Sequence, residues 1–222
     1  MVNISAYHRL TEELAPNNVS LVAVSKFKTA GDIKKLYDAG QKDFGENYVQ
    51  ELLEKQALLP ADIHWHFIGH LQSNKVKYIV PFIYLIHGVD SFKLLKEINK
   101  QAGKHARVVN VLLQIHIAEE ETKFGLDEKE LADCFVQLEQ TPFEWVRVVG
   151  LMGMSSFSED TAQVTAEMHH LKSLHDRYKT KFDLLEGHNQ PVLSMGMSGD
   201  YPIAIENGSN MVRVGSLLFG AR

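Results

Sequence analysis

Residues Leu21–Lys28 read LVAVSKFK. Small apolar residues run from Leu21 to Val24, Ser25 follows, and then lysines stand at positions 26 and 28. A continuous apolar run, rather than strict alternation, suits a strand covered on both faces, as in a parallel sheet between helices. Such a strand usually finishes in Gly, Asn, Asp or Ser, yet this one pushes an ammonium group out of its end. The neighbouring runs decide what fold surrounds that amine.

VSLVAVS is the first of eight such runs. KDFGE (the weakest), IHWHFIG, IYLIHGV, RVVNVLLQIHI, EWVRVVGLMGM, PVLSMGM and MVRVGS follow in order. Helix signals lie between them. Thr29 is placed to cap AGDIKKLYDAG, with Asp32 in the first turn and Gly40 past the end. Asp127 stands three residues before Glu130, and Asp160 three before Gln163, both resembling capping boxes. Ser91 precedes FKLLKEINKQAG. Eight strand–helix units predict a single α/β domain over residues 1–222, a (β/α)8 TIM barrel. The competing doubly wound sheet is weakened because no G-x-G-x-x-G follows the first strand.

Composition narrows the function. Among 222 residues the net charge is −5, so there is no broad basic field for nucleic acid. The longest apolar run, YIVPFIYLI, is too short to span a bilayer and contains Pro81. The single cysteine, Cys134, cannot form an intrachain disulfide and reads as packed and inert. The N-terminal stretch lacks the apolar core of a signal peptide. A cytoplasmic protein without membrane or nucleic-acid partners is expected.

In a barrel, chemistry belongs at the C-terminal strand ends. Lys26, Asn47 and His70 fall there after the first three strands, Ser198 and Gly199 after the seventh, and Arg213, Gly215 and Ser216 at the eighth. The loops after strands seven and eight suit phosphate: MSGDYPIAIENG offers a hydroxyl, a glycine and a short helix, and VGS offers further backbone N–H groups. Gly199 and Gly215 serving as turn residues is the plainer alternative. Alternation puts Met211, Arg213 and Gly215 on one strand face, with Val212 and Val214 on the other. Arg213 then points into the mouth, where a guanidinium needs a partner: a carboxylate such as Glu46 or Asp200, or a ligand acceptor. Lys26, if enclosed there, loses hydration and frees its amine for Schiff-base chemistry with an aldehyde. Its plainer alternative is an exposed lysine whose stem crosses the rim. An aldehyde carrying a phosphate would use all three features.

The stretches AVSKFK, FGENYVQE, HFIGHLQSNK, GLMGMS and LSMGMSGDYPIAIENGSNMVRVGSLLFGAR resemble the pyridoxal phosphate homeostasis protein family. That family is related to the N-terminal barrel of alanine racemase. The resemblance runs from about Leu21 to Arg222 and implies a (β/α)8 barrel that binds pyridoxal phosphate (PLP). It implies that Lys26 carries the cofactor as a Schiff base, that Asn47 lies close to it, and that Ser198, Gly199, Gly215 and Ser216 contact its phosphate. It implies that Arg213 faces the pyridine nitrogen, and it matches Lys123 to a recurrent lysine without a stated role. Thr29, His116 and Phe124 depart from the family pattern, where proline, asparagine and a small residue are expected.

An arginine partner leaves the pyridine nitrogen unprotonated and the cofactor a poor electron sink. Alanine racemase also needs a tyrosine base from a second, β-rich domain, for which this chain has no room; Tyr201, in the phosphate loop, reads as structural. The expectation is therefore a monomeric PLP carrier, passing cofactor to apoenzymes, rather than an enzyme. The alternatives are a PLP-dependent amino acid racemase and, further off, a phosphosugar aldolase. No metal site is expected. His64 and His66 share a strand face, but no carboxylate or Cys stands at ligand spacing in the sequence. His70 reads as a hydrogen-bonding residue at the rim. In MHH, Met168–His170, the adjacent histidines face different directions on a helix. The tryptophans and methionines read as core.

Overall fold

The computed structural model of the protein describes residues 2–118 and 124–220; Lys123 lies outside them. Eight parallel strands close into a barrel in chain order. They are β1 (Ser20–Val24), β2 (Asp43–Glu46), β3 (His64–Phe67), β4 (Leu85–Val89), β5 (Val109–Ile115), β6 (Val146–Gly153), β7 (Val192–Ser194) and β8 (Met211–Val214). Closure is made by β1 pairing with β8, from Ser20↔Met211 to Ala23↔Val214. Outside run α1 (Ile4–Leu14), α2 (Ala30–Asp38), α3 (Val49–Leu58), α4 (Val76–Ile79), α5 (Phe92–Lys104), α6 (Glu128–Gln140) and α7 (Thr161–Tyr178). Two short helices, α8 (Tyr201–Glu206) and α9 (Ser216–Phe219), follow the last two strands.

The helix starts follow local chemistry. Asn3 Oδ1 accepts from Ala6 N at 2.9 Å, Thr29 Oγ1 from Asp32 N at 3.1 Å, and Ser91 Oγ from Leu94 N at 3.3 Å. Each satisfies an N–H that the first helical turn leaves open. Asp127 and Glu130 form the reciprocal box expected of them. Asp160 accepts from Ala162 and Gln163 N, but the Gln163 amide turns to Glu167, so that cap is one-sided.

Two apolar layers result from strand residues that face opposite ways. Val22, Leu85, Leu112, Val149, Met152, Val192 and Met211 fill the barrel interior. Ala23, Phe44, Phe67, Ile86, Leu151, Val212 and Val214 face the helices, where Ile33, Leu36 and Leu52 are fully buried. Met211 therefore points inward and its neighbours Val212 and Val214 outward, as alternation requires. Gly150, at a register irregularity between β5 and β6, adopts φ +153°; a Cβ there would lie 1.8 Å from Val192 O. Only glycine allows β6 and β7 to approach this closely.

Candidate functional site

A cavity of about 800 Å³ opens at the C-terminal ends of the strands. Lys26, Asn47, Ser198, Gly199, Arg213, Gly215 and Ser216 all line it. Residues from four separate loops and one strand thus meet at one mouth.

Lys26 stands two residues beyond β1, in the loop to α2, rather than at the strand's own end. The backbone on either side of it is held from below. Lys55, on α3, is buried and donates to Ser25 O, Glu46 Oε1 and Glu51 Oε1, each at 2.7 Å. Glu51 Oε1 also accepts from Phe27 N at 2.6 Å, and Ser25 Oγ donates to Glu46 Oε1 at 2.5 Å. Phe27 adopts φ +62°, a costly region for a non-glycine residue that persists only under such constraint. Burial pushes the Glu46 carboxyl above its ordinary pKa, against the opposing pull of the Lys55 ammonium and the Ser25 hydroxyl.

Arg213 is 4 % exposed. Its Nη1 donates to Ser194 Oγ at 2.7 Å and its Nη2 to Gly153 O at 3.0 Å. The carboxylate partners considered from sequence are not its contacts: Glu46 pairs with Lys55, and Asp200 binds Ser155 Oγ and Met197 N. Desolvation lowers the guanidinium to about 10, so it remains protonated at neutral pH.

Asn47 is set by a close approach, since a Cβ on Gly69 would lie 2.3 Å from Asn47 O. Its Oδ1 is buried with no hydrogen-bond partner among the described residues. The last two loops are joined: Gly215 N donates to Ser198 Oγ at 3.2 Å.

Several wall residues escaped the sequence reading. Ser155 and Ser156 follow β6 and line the cavity with Asp200, Lys28 and the aliphatic Ile68 and Met154. Lys28 Nζ donates to Phe219 O at 3.1 Å, which ties the first loop to the chain's last helix. Ser156 is anchored on Glu167 of α7 by its N–H and its hydroxyl, both at 2.6 Å. MGMS occurs twice, at 152–155 and 195–198, and was the available signal, because its first copy places Ser155 where the second places Ser198. Met197, read as core, is 38 % exposed on the cavity wall.

The remaining candidates sit as follows. His70 Nδ1 meets Asp90 Oδ2 at 3.0 Å and its ring stacks on Phe124. Tyr201 donates to Glu13 Oε2 at 3.0 Å and does not line the cavity. Cys134 is 1 % exposed and pushed up to about 11 by desolvation, an inert thiol. His64 and His66 both meet Asp43 Oδ1, a carboxylate that sequence spacing did not bring near them. Among the described residues, no group of three His, Cys, Asp or Glu is placed to hold a metal, and no helix is long and apolar enough to cross a membrane.

Fold and mouth define a class: a closed (β/α)8 barrel whose C-terminal end gathers a lysine, a buried arginine and two amide-bearing loops. A family model of the alanine racemase N-terminal domain matches residues 3–222. The pyridoxal phosphate homeostasis protein of Aquifex aeolicus is 40% identical over 207 residues, 93% of this chain and 88% of that one. Its counterpart from Schizosaccharomyces pombe is 38% identical over 209 residues, 92% and 85% of the two chains. The chain belongs to the pyridoxal phosphate homeostasis protein family, within the alanine racemase N-terminal domain fold. Among solved structures, PipY of Synechococcus elongatus PCC7942 with PLP bound superposes with a TM-score of 0.86 at 34% identity, covering 98% of this chain and 99% of that one. Alanine racemase from Bartonella henselae shares the fold at TM-score 0.73 and 18% identity, with 60% of its length covered.

Proposed function

We propose that the protein binds PLP at the barrel mouth and takes part in PLP homeostasis, holding the cofactor on Lys26 and passing it to apoenzymes. What supports the reading is that Lys26 lines the same cavity as Arg213 and the Ser198–Gly199 and Gly215–Ser216 loops. The donor set suits the cofactor's three ends. The loops after β7 and β8, joined by the Gly215 N to Ser198 Oγ bond, bring the Ser198 and Ser216 hydroxyls to the cavity for a phosphate. Asn47 Oδ1 is a buried acceptor on the cavity wall that a ligand donor would satisfy. Arg213 brings an anchored, charged donor for a ring nitrogen. When bound, PLP supplies an aldehyde able to form a Schiff base with an amine.

The chain's own residues orient and shield. Lys55 and Glu51 hold the backbone flanking Lys26, so its stem enters the mouth from a fixed loop. Arg213 keeps its proton and donates, which leaves a ring nitrogen opposite it without a proton of its own. The relatives at 35–40% identity are named homeostasis proteins. Tyr201, turned to Glu13, is not set to move a proton in the cavity. These observations favour holding and release over turnover. The reading takes residues 1–222 as one cofactor-binding domain, monomeric and cytoplasmic.

The test is a visible spectrum of PLP-incubated protein, with mass spectrometry after borohydride reduction. Wild type is expected to colour and to carry one adduct at Lys26, and Lys26→Ala to do neither. An uncoloured wild type without adduct overturns the proposal. Incubation with L-alanine in deuterated water addresses turnover: rapid deuterium uptake with loss of optical activity would make the protein a racemase.

A further inference from the structure

Beneath the mouth, polar side chains cross the barrel interior. Arg213 Nη1 lies 2.7 Å from Ser194 Oγ. Ser194 Oγ lies 3.3 Å from His87 Nδ1, His87 Nε2 2.9 Å from His66 Nδ1, and His66 Nε2 3.0 Å from Asp43 Oδ1. Ser194, His87 and His66 are fully buried. Asp43 opens β2 at the opposite, N-terminal face, where it borders a second cavity of about 320 Å³. The chain of contacts therefore runs through the barrel from one end to the other, in a layer otherwise filled by Val, Leu and Met. Buried imidazoles in such a layer are costly unless each nitrogen is satisfied.

We propose that His87 and His66 are positioning residues for Arg213, their tautomers set by the Asp43 carboxylate, so that the N-terminal face of the barrel orients the cofactor-facing guanidinium. The proposal rests on the PLP reading only for what Arg213 faces. The hydrogen bookkeeping has one direction with both rings neutral. A carboxylate only accepts, so His66 must carry its proton on Nε2. His66 Nδ1 is then a lone pair, and His87 must donate from Nε2. His87 Nδ1 is a lone pair in turn, and it accepts the Ser194 hydroxyl proton. Ser194 Oγ is thereby left to accept from Arg213 Nη1. Reversing any link would turn a donor onto a donor or leave the Ser194 hydroxyl proton without its acceptor.

Two further facts fit. Burial pushes His87 well below its ordinary pKa, so it is neutral. Burial acts to raise Asp43, but hydrogen bonds from His64 and His66 hold it well below the usual carboxylate range, so it is an anion at neutral pH. The second Arg213 contact, to Gly153 O, fixes only one guanidinium nitrogen. Orientation about that point falls to Ser194.

The test uses full-length protein labelled with ¹⁵N-histidine and ¹⁵N-arginine, first without PLP. At pH 8, nitrogen shifts are expected to place the proton on Nε2 of both His66 and His87. In Asp43→Ala the direction-setting anion is gone, and His87 is expected to populate the Nδ1–H form. In Ser194→Ala, the protected Arg213 side-chain N–H signal is expected to vanish. With PLP added, the band of Ser194→Ala is expected to shift and its affinity to fall about tenfold, as for one lost charge-assisted hydrogen bond. Nδ1–H on His87 in wild type, an unchanged His87 tautomer in Asp43→Ala, or an unaltered Arg213 signal in Ser194→Ala overturns the proposal. A wild type that takes up no PLP sinks the earlier reading alone, because the measurements without cofactor still decide this one.

Discussion

Lys55 sits at the centre of an ion group whose side chains are 7 %, 0 % and 22 % exposed for Lys55, Glu46 and Glu51. Removing one partner of such a pair leaves a charge in low dielectric, whereas replacing the pair with apolar residues often does not. Lys55→Met is therefore expected to cost about 3–5 kcal/mol, read as a fall in urea midpoint with unchanged slope. A loss under 1 kcal/mol would show the pair to be solvated. The same substitution leaves Ser25 O without its donor and Glu51, which accepts from Phe27 N, without its counter-ion, so PLP uptake by the folded fraction should slow, while the distant Cys134 thiol stays protected from alkylation. Little of this was legible in ELLEKQALL, which reads as an exposed helix with a Glu–Lys pair four residues apart. The partner that turns Lys55 inward, Glu46, comes from β2, and only the barrel's curvature brings the two together. Lys26 and Arg213 stood out because one is an ammonium just past an apolar run and the other interrupts an apolar strand. Asp43, His66, His87 and Ser194 were not, because they come from β2, β3, β4 and β7 and no sequence interval links them.

The helices carry two further expectations. Asp127 satisfies the first turn of α6 reciprocally with Glu130, so Asp127→Ala should cost about 1 kcal/mol, and Glu130→Ala part of that. On α7, His175 is 6 % exposed and stacks on Phe182; neither ring nitrogen makes a hydrogen bond among the described residues, although Nδ1 lies 3.7 Å from Asp176 Oδ1. Burial first, then Lys172, lowers its pKa, against the raising influence of Asp176. The unfolded chain then binds a proton more readily than the fold. His175 thus contributes stability that is full above the unfolded value near 6.5 and falls as pH drops toward the lowered folded one. His175→Phe should flatten the loss of urea stability between pH 7.5 and pH 5.5; equal losses in both proteins would refute the assignment. At this scale the sequence was informative. Thr29, Ser91 and Asp127 cap where their side chains predict, because capping is local chemistry. The weak KDFGE run is a strand because β1 and β3 pair with it on both sides, a tertiary cause its composition does not carry.

Across the whole barrel the seam is uneven. β5 and β6 pair from Val109↔Val146 to Ile115↔Gly153, whereas β7 and β8 register through Ser194↔Met211 alone. Side chains supplement the two backbone bonds that flank it, Asn210 N to Leu193 O at 3.2 Å and Arg213 N to Gly196 O at 3.0 Å. Asn210 Oδ1 accepts from Leu193 N at 2.7 Å and Asn210 Nδ2 donates to Pro191 O at 2.9 Å, while the Ser209 hydroxyl lies 2.8 Å from Met195 O. The proposed phosphate loops hang from these two strands, so a ligand bridging them would close the thinnest part of the cylinder. A ligand that binds only the folded state stabilises it by about 2.7 kcal/mol at a hundredfold excess over Kd. For a chain of this size that is a Tm rise of roughly 5–10 °C. Amide exchange should slow most over residues 192–216 and less over β4 and β5, which are paired at more positions. Asn210→Ala should lower the Tm of the ligand-free protein and enlarge the PLP-induced rise, because the ligand then supplies bridging that the side chain no longer does. Uniform protection around the barrel, or an Asn210→Ala rise no larger than that of wild type, would separate the ligand site from the seam.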